Sequence, residues 1–534
     1  MSARARLPDV NLRGGERMSR FFSHKPNYWD DSVNPNFGSG VWDAYGAISG
    51  APGTNGGADL LAAIQSGDIP ARFVSALSSR ATKSTTSLPY STFRATSGTT
   101  TTSSGAKWGG ISFSSTEGYY YPPDNALAVN NAASGSQTVV TAENNAVRID
   151  KFSNGAIASS VVSGENTLFG SPAAGFFYSD PRVIFDAQAG KFVITVDEVN
   201  PSAGKSYFVY AVSSNAAPTS FTSGWTAHSV STTYNGTWWT DQPLVSLNNG
   251  SLYVTTNMYD PSSNYQGDNL TIISNYASSP SATTVASLSG PSYQPATIDD
   301  GTSATQYFVS HNGANLDIMD PSGAVVASIG NMPAESEFAA TQKGSTFKLD
   351  AGDGRITSAV YDAGHNLLYA VFEAAGTSTS PTEELVQYNL STGAPPDIVK
   401  LNDLLPASGA TSGASTFNAS LAVDSQGDLL VNFNVSGPNM YVADYYAVWK
   451  ASGGAAPTPT ATNYSSLYDY QDSVAAYVDP GKDPVGRWGD YSSAIPNPSA
   501  QNGFYISNEY DNGTTRVLFA NYNSWGTVIA SVNV

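Results

Sequence analysis

One strand–turn–strand module recurs seven times between Pro123 and Val534, and no other feature limits the fold so tightly. In each copy an apolar strand ends in Asp or Asn at a turn. A second apolar strand follows, then a third rich in Tyr, Val and Ile, and usually a fourth. The turn residues are Asn130, Asp186, Asn248, Asp299, Asp362, Asp424 and Asn497, spaced 51 to 73 residues apart. Common propeller repeats run to roughly 40–50 residues, so these copies leave room for extended loops. Asn249-Gly250, Asp300-Gly301 and Gln426-Gly427 supply the positive φ of tight hairpins. A four-stranded unit cannot bury both faces alone, whereas radial packing of several units does. A parallel β-helix needs shorter repeats, and a pair of sandwiches would not repeat one motif seven times. The expectation is an all-β chain: a seven-bladed β-propeller over 118–534 with an irregular N-terminal extension over 1–117.

Composition agrees with many short strands. Only 13% of the 534 residues are charged, against roughly a quarter in an average soluble protein. Gly, Tyr, Ser, Thr and Asn take their place, suiting pleated surfaces and turns. The net charge of −19 leaves no basic stripe for phosphates, which argues against nucleic acid as a partner. With no cysteine there are no disulfides, thiol catalysis or Cys-ligated metals. No apolar run is long enough for a transmembrane segment. Absent cysteine, few Lys and abundant Ser, Thr and Asn point to an extracellular or cell-surface location. Met1–Phe22 is basic, without the apolar stretch of a secretory signal. The Ser/Thr-rich arm, with Trp29, Trp42 and Tyr45 as aromatic anchors, is expected to wrap the propeller or contact a neighbour in a homo-oligomer or surface assembly.

Closing the ring would bring the starts of the innermost strands to one channel mouth. There stand Asp124, Asp180, Asp241, Asp353 and Asp490, with Arg182, Arg355 and Arg487. Two readings follow. The arginines grip an anion or sugar through paired hydrogen bonds, or each Asp caps its own strand and each Arg pairs a neighbouring Asp. The second reading is favoured by recurrence from blade to blade. Trp238 and Trp239, beside Tyr234 in a Gly-containing loop, offer faces for sugar rings or for packing between blades. Ca²⁺ is the cofactor to expect if any, through the hard oxygens of Asp350–Asp353 or Asp424–Asp428, although neither turn is an EF-hand loop. His24, His228, His311 and His365 lack metal-ligand spacing.

The segments Asp180-Pro-Arg-Val-Ile-Phe-Asp186 and Arg487-Trp-Gly-Asp-Tyr-Ser-Ser493 resemble parts of sialidase-like propeller proteins secreted by bacteria, as do Pro122-Pro-Asp-Asn125 and Asp241-Gln-Pro243. The likeness covers Tyr119 to Val534. It implies that Arg182, Arg355 and Arg487 would hold a substrate carboxylate. Tyr491 with Glu509 would be the nucleophile pair, and Asp180 or Asp490 the acid. Sialidases have six blades and a Ser-x-Asp-x-Gly-x-x-Trp turn that is missing here. The sequence therefore predicts a glycan- or protein-binding or assembly module, with a sialidase-like glycoside hydrolase as the alternative.

Overall fold

The computed structural model describes residues 103–112, 122–288, 292–298, 305–333, 339–345, 348–375, 380–407, 409–451, 453, 457–465, 485–486, 488–499, 503–517 and 520–534. They form the expected seven-bladed β-propeller. Blade 1 begins at Ala126–Val129, blade 2 at Phe177–Asp186 and blade 3 at Trp239–Asn248. Blade 5 begins at Ile356–Asp362, blade 6 at Ser415–Val423 and blade 7 at Ser493–Pro496. Within each of these sheets the chain runs outward, and the first strands pack on one another around the axis. Blade 4 starts differently. Gln294–Pro295 pairs within its own blade, while Thr297–Ile298 pairs in parallel with the first strand of blade 5.

Each blade is covered on both faces, which is why its inner strands read as nearly unbroken apolar runs. In blade 2, Phe192 and Ile194 point toward blade 1 and the intervening Val193 toward blade 3. Every one of the seven blade interfaces holds its own buried cluster, including Trp108, Leu127, Tyr505 and Ile529 between blades 7 and 1. Burial of this kind stabilises at about 25 cal/mol per Å² of apolar surface.

The ring closes through a segment that sequence placed in the N-terminal extension. Ser103–Ser112 forms the outer strand of blade 7, antiparallel to Ala520–Asn533, from Ser103 opposite Asn533 to Ser112 opposite Gly526. Trp108 then reaches into blade 1, where its Nε1 donates to Asp150 at 3.1 Å and its ring meets Phe152 edge-on. The arm over 1–102, with its aromatic anchors, lies outside the described residues, as do Asp299 and the Asp300-Gly301 turn.

The turn-end acids close their own hairpins. Asp186 Oδ1 accepts from the Gln188 and Ala189 amides, both at 2.9 Å, and its Oδ2 takes the Tyr276 hydroxyl of blade 3 at 2.6 Å. Asp424 accepts from Gln426 and Asp428, and from Gly503 of blade 7 at 3.2 Å. Asn130 receives Thr138 and donates to the Ala216 carbonyl of blade 2. In blades 1, 2 and 6 the turn residue thus ties its hairpin and staples the next blade.

Candidate functional site

At the opposite end the inner strands begin with a kink. Asp124, Asp180, Gln242 and Asn418 occupy equivalent positions in blades 1, 2, 3 and 6, with φ of 52°, 52°, 54° and 53°. In blades 2, 3 and 6 the pairing register shifts there. Left-handed backbone favours Asp and Asn among residues that carry a Cβ, which accounts for three of these four choices. The bulge turns these side chains out of the sheet pattern and toward the axis.

Three acids from consecutive blades meet at this mouth. Asp124, Asp180 and Asp490 each place a carboxylate oxygen within 4.8 Å of the other two. Asp124 Oδ1 accepts from the Asp490 amide and Oδ2 from Asn144 Nδ2, both at 2.8 Å. Asn144 Oδ1 in turn accepts from the Asp180 amide at 2.9 Å, and Asp180 Oδ2 accepts from the Gln242 amide at 3.2 Å. These bonds fix the carboxylates across blades 7, 1, 2 and 3.

Behind this group lie six buried polar side chains, four of them acids, of which the resemblance singled out only Glu509. Glu143, Asp197, Asn257, Glu373, Asn434 and Glu509 are all buried at the mouth end of second strands. Each is a polar interruption in an apolar run, visible in TVVTAE, FVITVD and LLVNFN once the repeat is aligned. Burial holds Glu143 well above the usual carboxylate range, with Glu509 and Asp124 adding repulsion. Burial does the same to Asp197, with Asp241 and Asp180 adding. Glu165, behind Asp180, is pushed by burial to about 8. Glu373 and Glu383 form a close pair in blade 5, and burial again is the first cause of their rise.

Of the three arginines expected at the mouth, the two that lie among the described residues are engaged by the ring itself. The Arg182 guanidinium lies 3.3 Å from the centroid of the Tyr491 ring, and its Nε points to the Pro243 carbonyl at 3.4 Å. Arg355 grips Asp353, with Nη2 at 2.7 Å and Nε at 2.9 Å from its oxygens, and reaches across blade 4 to Gln242 Oε1. Arg487 lies outside the described residues. The Tyr491 hydroxyl donates to the Pro181 carbonyl at 2.9 Å, and burial holds its pKa well above the ordinary phenol value. Glu509 Oε2 accepts from the Gly489 amide at 2.8 Å. Asp241 is buried opposite Asn257.

Trp239 stacks on Tyr259 in the core, with its Nε1 donating to the Asp260 carbonyl at 3.2 Å, so its face is used for packing. Trp238 is half-buried on the mouth-side loop, its ring 5.7 Å from that of Tyr234. The two acidic turns expected to suit Ca²⁺ are satisfied in part by protein. Asp350 accepts from Gly352, Asp353 pairs with Arg355, and Asp428 pairs with Lys450 at 2.9 Å.

No family model matches the chain, and no curated protein does. Among solved structures, similar folds include a Trypanosoma rangeli sialidase with 2,3-difluorosialic acid, at 10% identity and a TM-score of 0.31. That match covers 67% of this chain and 53% of the sialidase, about half its length. A catalytically inactive virginiamycin B lyase from Staphylococcus aureus with quinupristin gives 10% identity and a TM-score of 0.34, covering 78% of this chain and 98% of the lyase. The WD40 domain of SCAP from fission yeast gives 7% and 0.31, over 73% and 81%. The neighbours include sialidases and other propellers. Among the described residues no helix is long and apolar enough to cross a membrane.

Proposed function

We propose that the chain is a binding and assembly propeller that works outside the cytoplasm, with glycan as the ligand class that the half-buried Tyr234–Trp238 pair favours. The carrying observation is that the side chains a sialidase would spend on substrate are spent here on the ring. Arg355 is forked onto Asp353, Arg182 is stacked on Tyr491, and the Tyr491 hydroxyl is given to Pro181. A tyrosine nucleophile needs a lowered pKa or an adjacent base, and burial moves Tyr491 the other way. Electrostatics points in the same direction. An anionic sugar would meet the carboxylates of Asp124, Asp180 and Asp490, a field that repels it.

Two assays test this. Incubation with sialyllactose and a panel of nitrophenyl glycosides is expected to release no product. A glycan array is expected to show binding that Trp238→Ala weakens at least tenfold. Turnover abolished by Arg182→Met or Tyr491→Phe would establish the hydrolase reading instead. Binding only to surface proteins, unchanged in Trp238→Ala, would move the contact to another face.

A further inference from the structure

We infer that Asp124, Asp180 and Asp490 form a divalent cation site, of the kind that takes Ca²⁺, on the propeller axis where blades 7, 1 and 2 meet. The site is distinct from the Asp-rich turns and does not depend on what the rim binds. Its first support is geometric: the three carboxylates approach within 4.8 Å of one another, near enough to share one ion. They are held there from behind. Asp124 is fixed by the Asp490 amide and by Asn144, and Asp180 by the Gln242 amide. Outer donors of this type orient ligands and reduce the cost of gathering them.

The second support is independent of that cluster. Glu143 and Asp197 are completely buried, and none of their four carboxylate oxygens has a hydrogen-bond partner. Both lie against the cluster. Glu143 precedes Asn144, the side chain that bridges Asp124 and Asp180, and it feels the charge of Asp124. Asp197 sits opposite Ser179, the residue before Asp180, and interacts with Asp180. The Thr527 hydroxyl beside Glu143 donates instead to the Ile111 carbonyl. Asn125 and Ser179 likewise bury polar side-chain atoms without partners at this end. Unsatisfied polar atoms so concentrated mark a place where an ion and its waters belong. A +2 charge would offset the repulsion among these acids, and the oxygen-only set, with no His in the cluster, suits a hard cation.

The test uses the full chain stripped with EGTA and titrated with calcium chloride in a calorimeter. One ion per chain is expected, with a rise in melting temperature that EGTA reverses. Asp180→Asn and Asp490→Asn are expected to bind at least tenfold more weakly, while Asp428→Asn binds as the wild type does. Absence of heat and of any melting shift at millimolar calcium would overturn the site. So would Asp180→Asn and Asp490→Asn variants that bind normally. A wild-type crystal soaked in calcium needs no variant. Density for an ion about 2.3–2.6 Å from the three aspartates would confirm the site. Density only elsewhere, or none, would refute it.

Discussion

The two ends of this propeller use the same residue type for opposite purposes. At the turn end, Asp186 and Asp424 spend their oxygens on backbone amides of their own hairpins and on the next blade. At the mouth end, Glu143 and Asp197 are just as deeply buried and spend theirs on nothing in the protein. An acid repeated from blade to blade is therefore not one feature. Where amides converge on it, the acid holds the fold together. Where acids converge on one another, the fold holds them against their repulsion, and that stored cost is what a ligand can relieve.

The largest expected effect is on pH dependence. Burial raises Glu165 and Glu383 to about 8 and Asp268 to about 7 in the folded state, against roughly 4 in an unfolded chain. The folded protein thus binds these protons more tightly. Their contribution is complete below about pH 4 and is lost as pH rises through 7 to 8. Thermal melts of chelator-treated protein should show the melting temperature falling by about 10 °C or more from pH 4.5 to pH 8. A melting temperature that climbs over this range would break the contrast between the ends.

Next in size is Asp186→Ala, which orphans two amides and the buried Tyr276 hydroxyl. Denaturant titration should register a loss of about 2–4 kcal/mol. Tyr491→Phe sharpens the comparison, because it removes a mouth-end contact that is structural. Leaving the Pro181 carbonyl without its donor should cost about 1–2 kcal/mol. The smallest effect belongs to His365→Ala. This ring pairs with Asp362 at 2.8 Å but is 51% exposed, so the change should stay below about 1 kcal/mol.

The architecture was legible because the repeat carries it: an apolar strand stopped by Asp or Asn, seven times over. The closing strand was not. In Ser103–Ser112 only Trp108 and Ile111 announce burial, and the surrounding Ser, Thr and Gly read as a polar arm. Asp124, Asp180 and Asp490 were expected near one axis, and the structure brings them together. Their backing acids were missed because Glu143 and Asp197 each stand alone in an apolar strand. Only the ring places them beside partners far away in sequence. Trp239 shows the converse limit, since a Trp next to a loop reads the same whether it faces solvent or Tyr259.

The most direct measurement is a matched pair of isosteric changes, one at each end, melted at pH 7 in chelator. Asp186→Asn should lower the melting temperature by several degrees, because a carboxylate surrounded by donors loses charge and one acceptor. Asp197→Asn should leave it unchanged or raise it, because it replaces a buried carboxyl whose charged form burial and the neighbouring acids disfavour and whose oxygens no donor holds. Equal losses from both substitutions would mean that donors hold the mouth acid as they hold Asp186, and the division between the two ends would not stand.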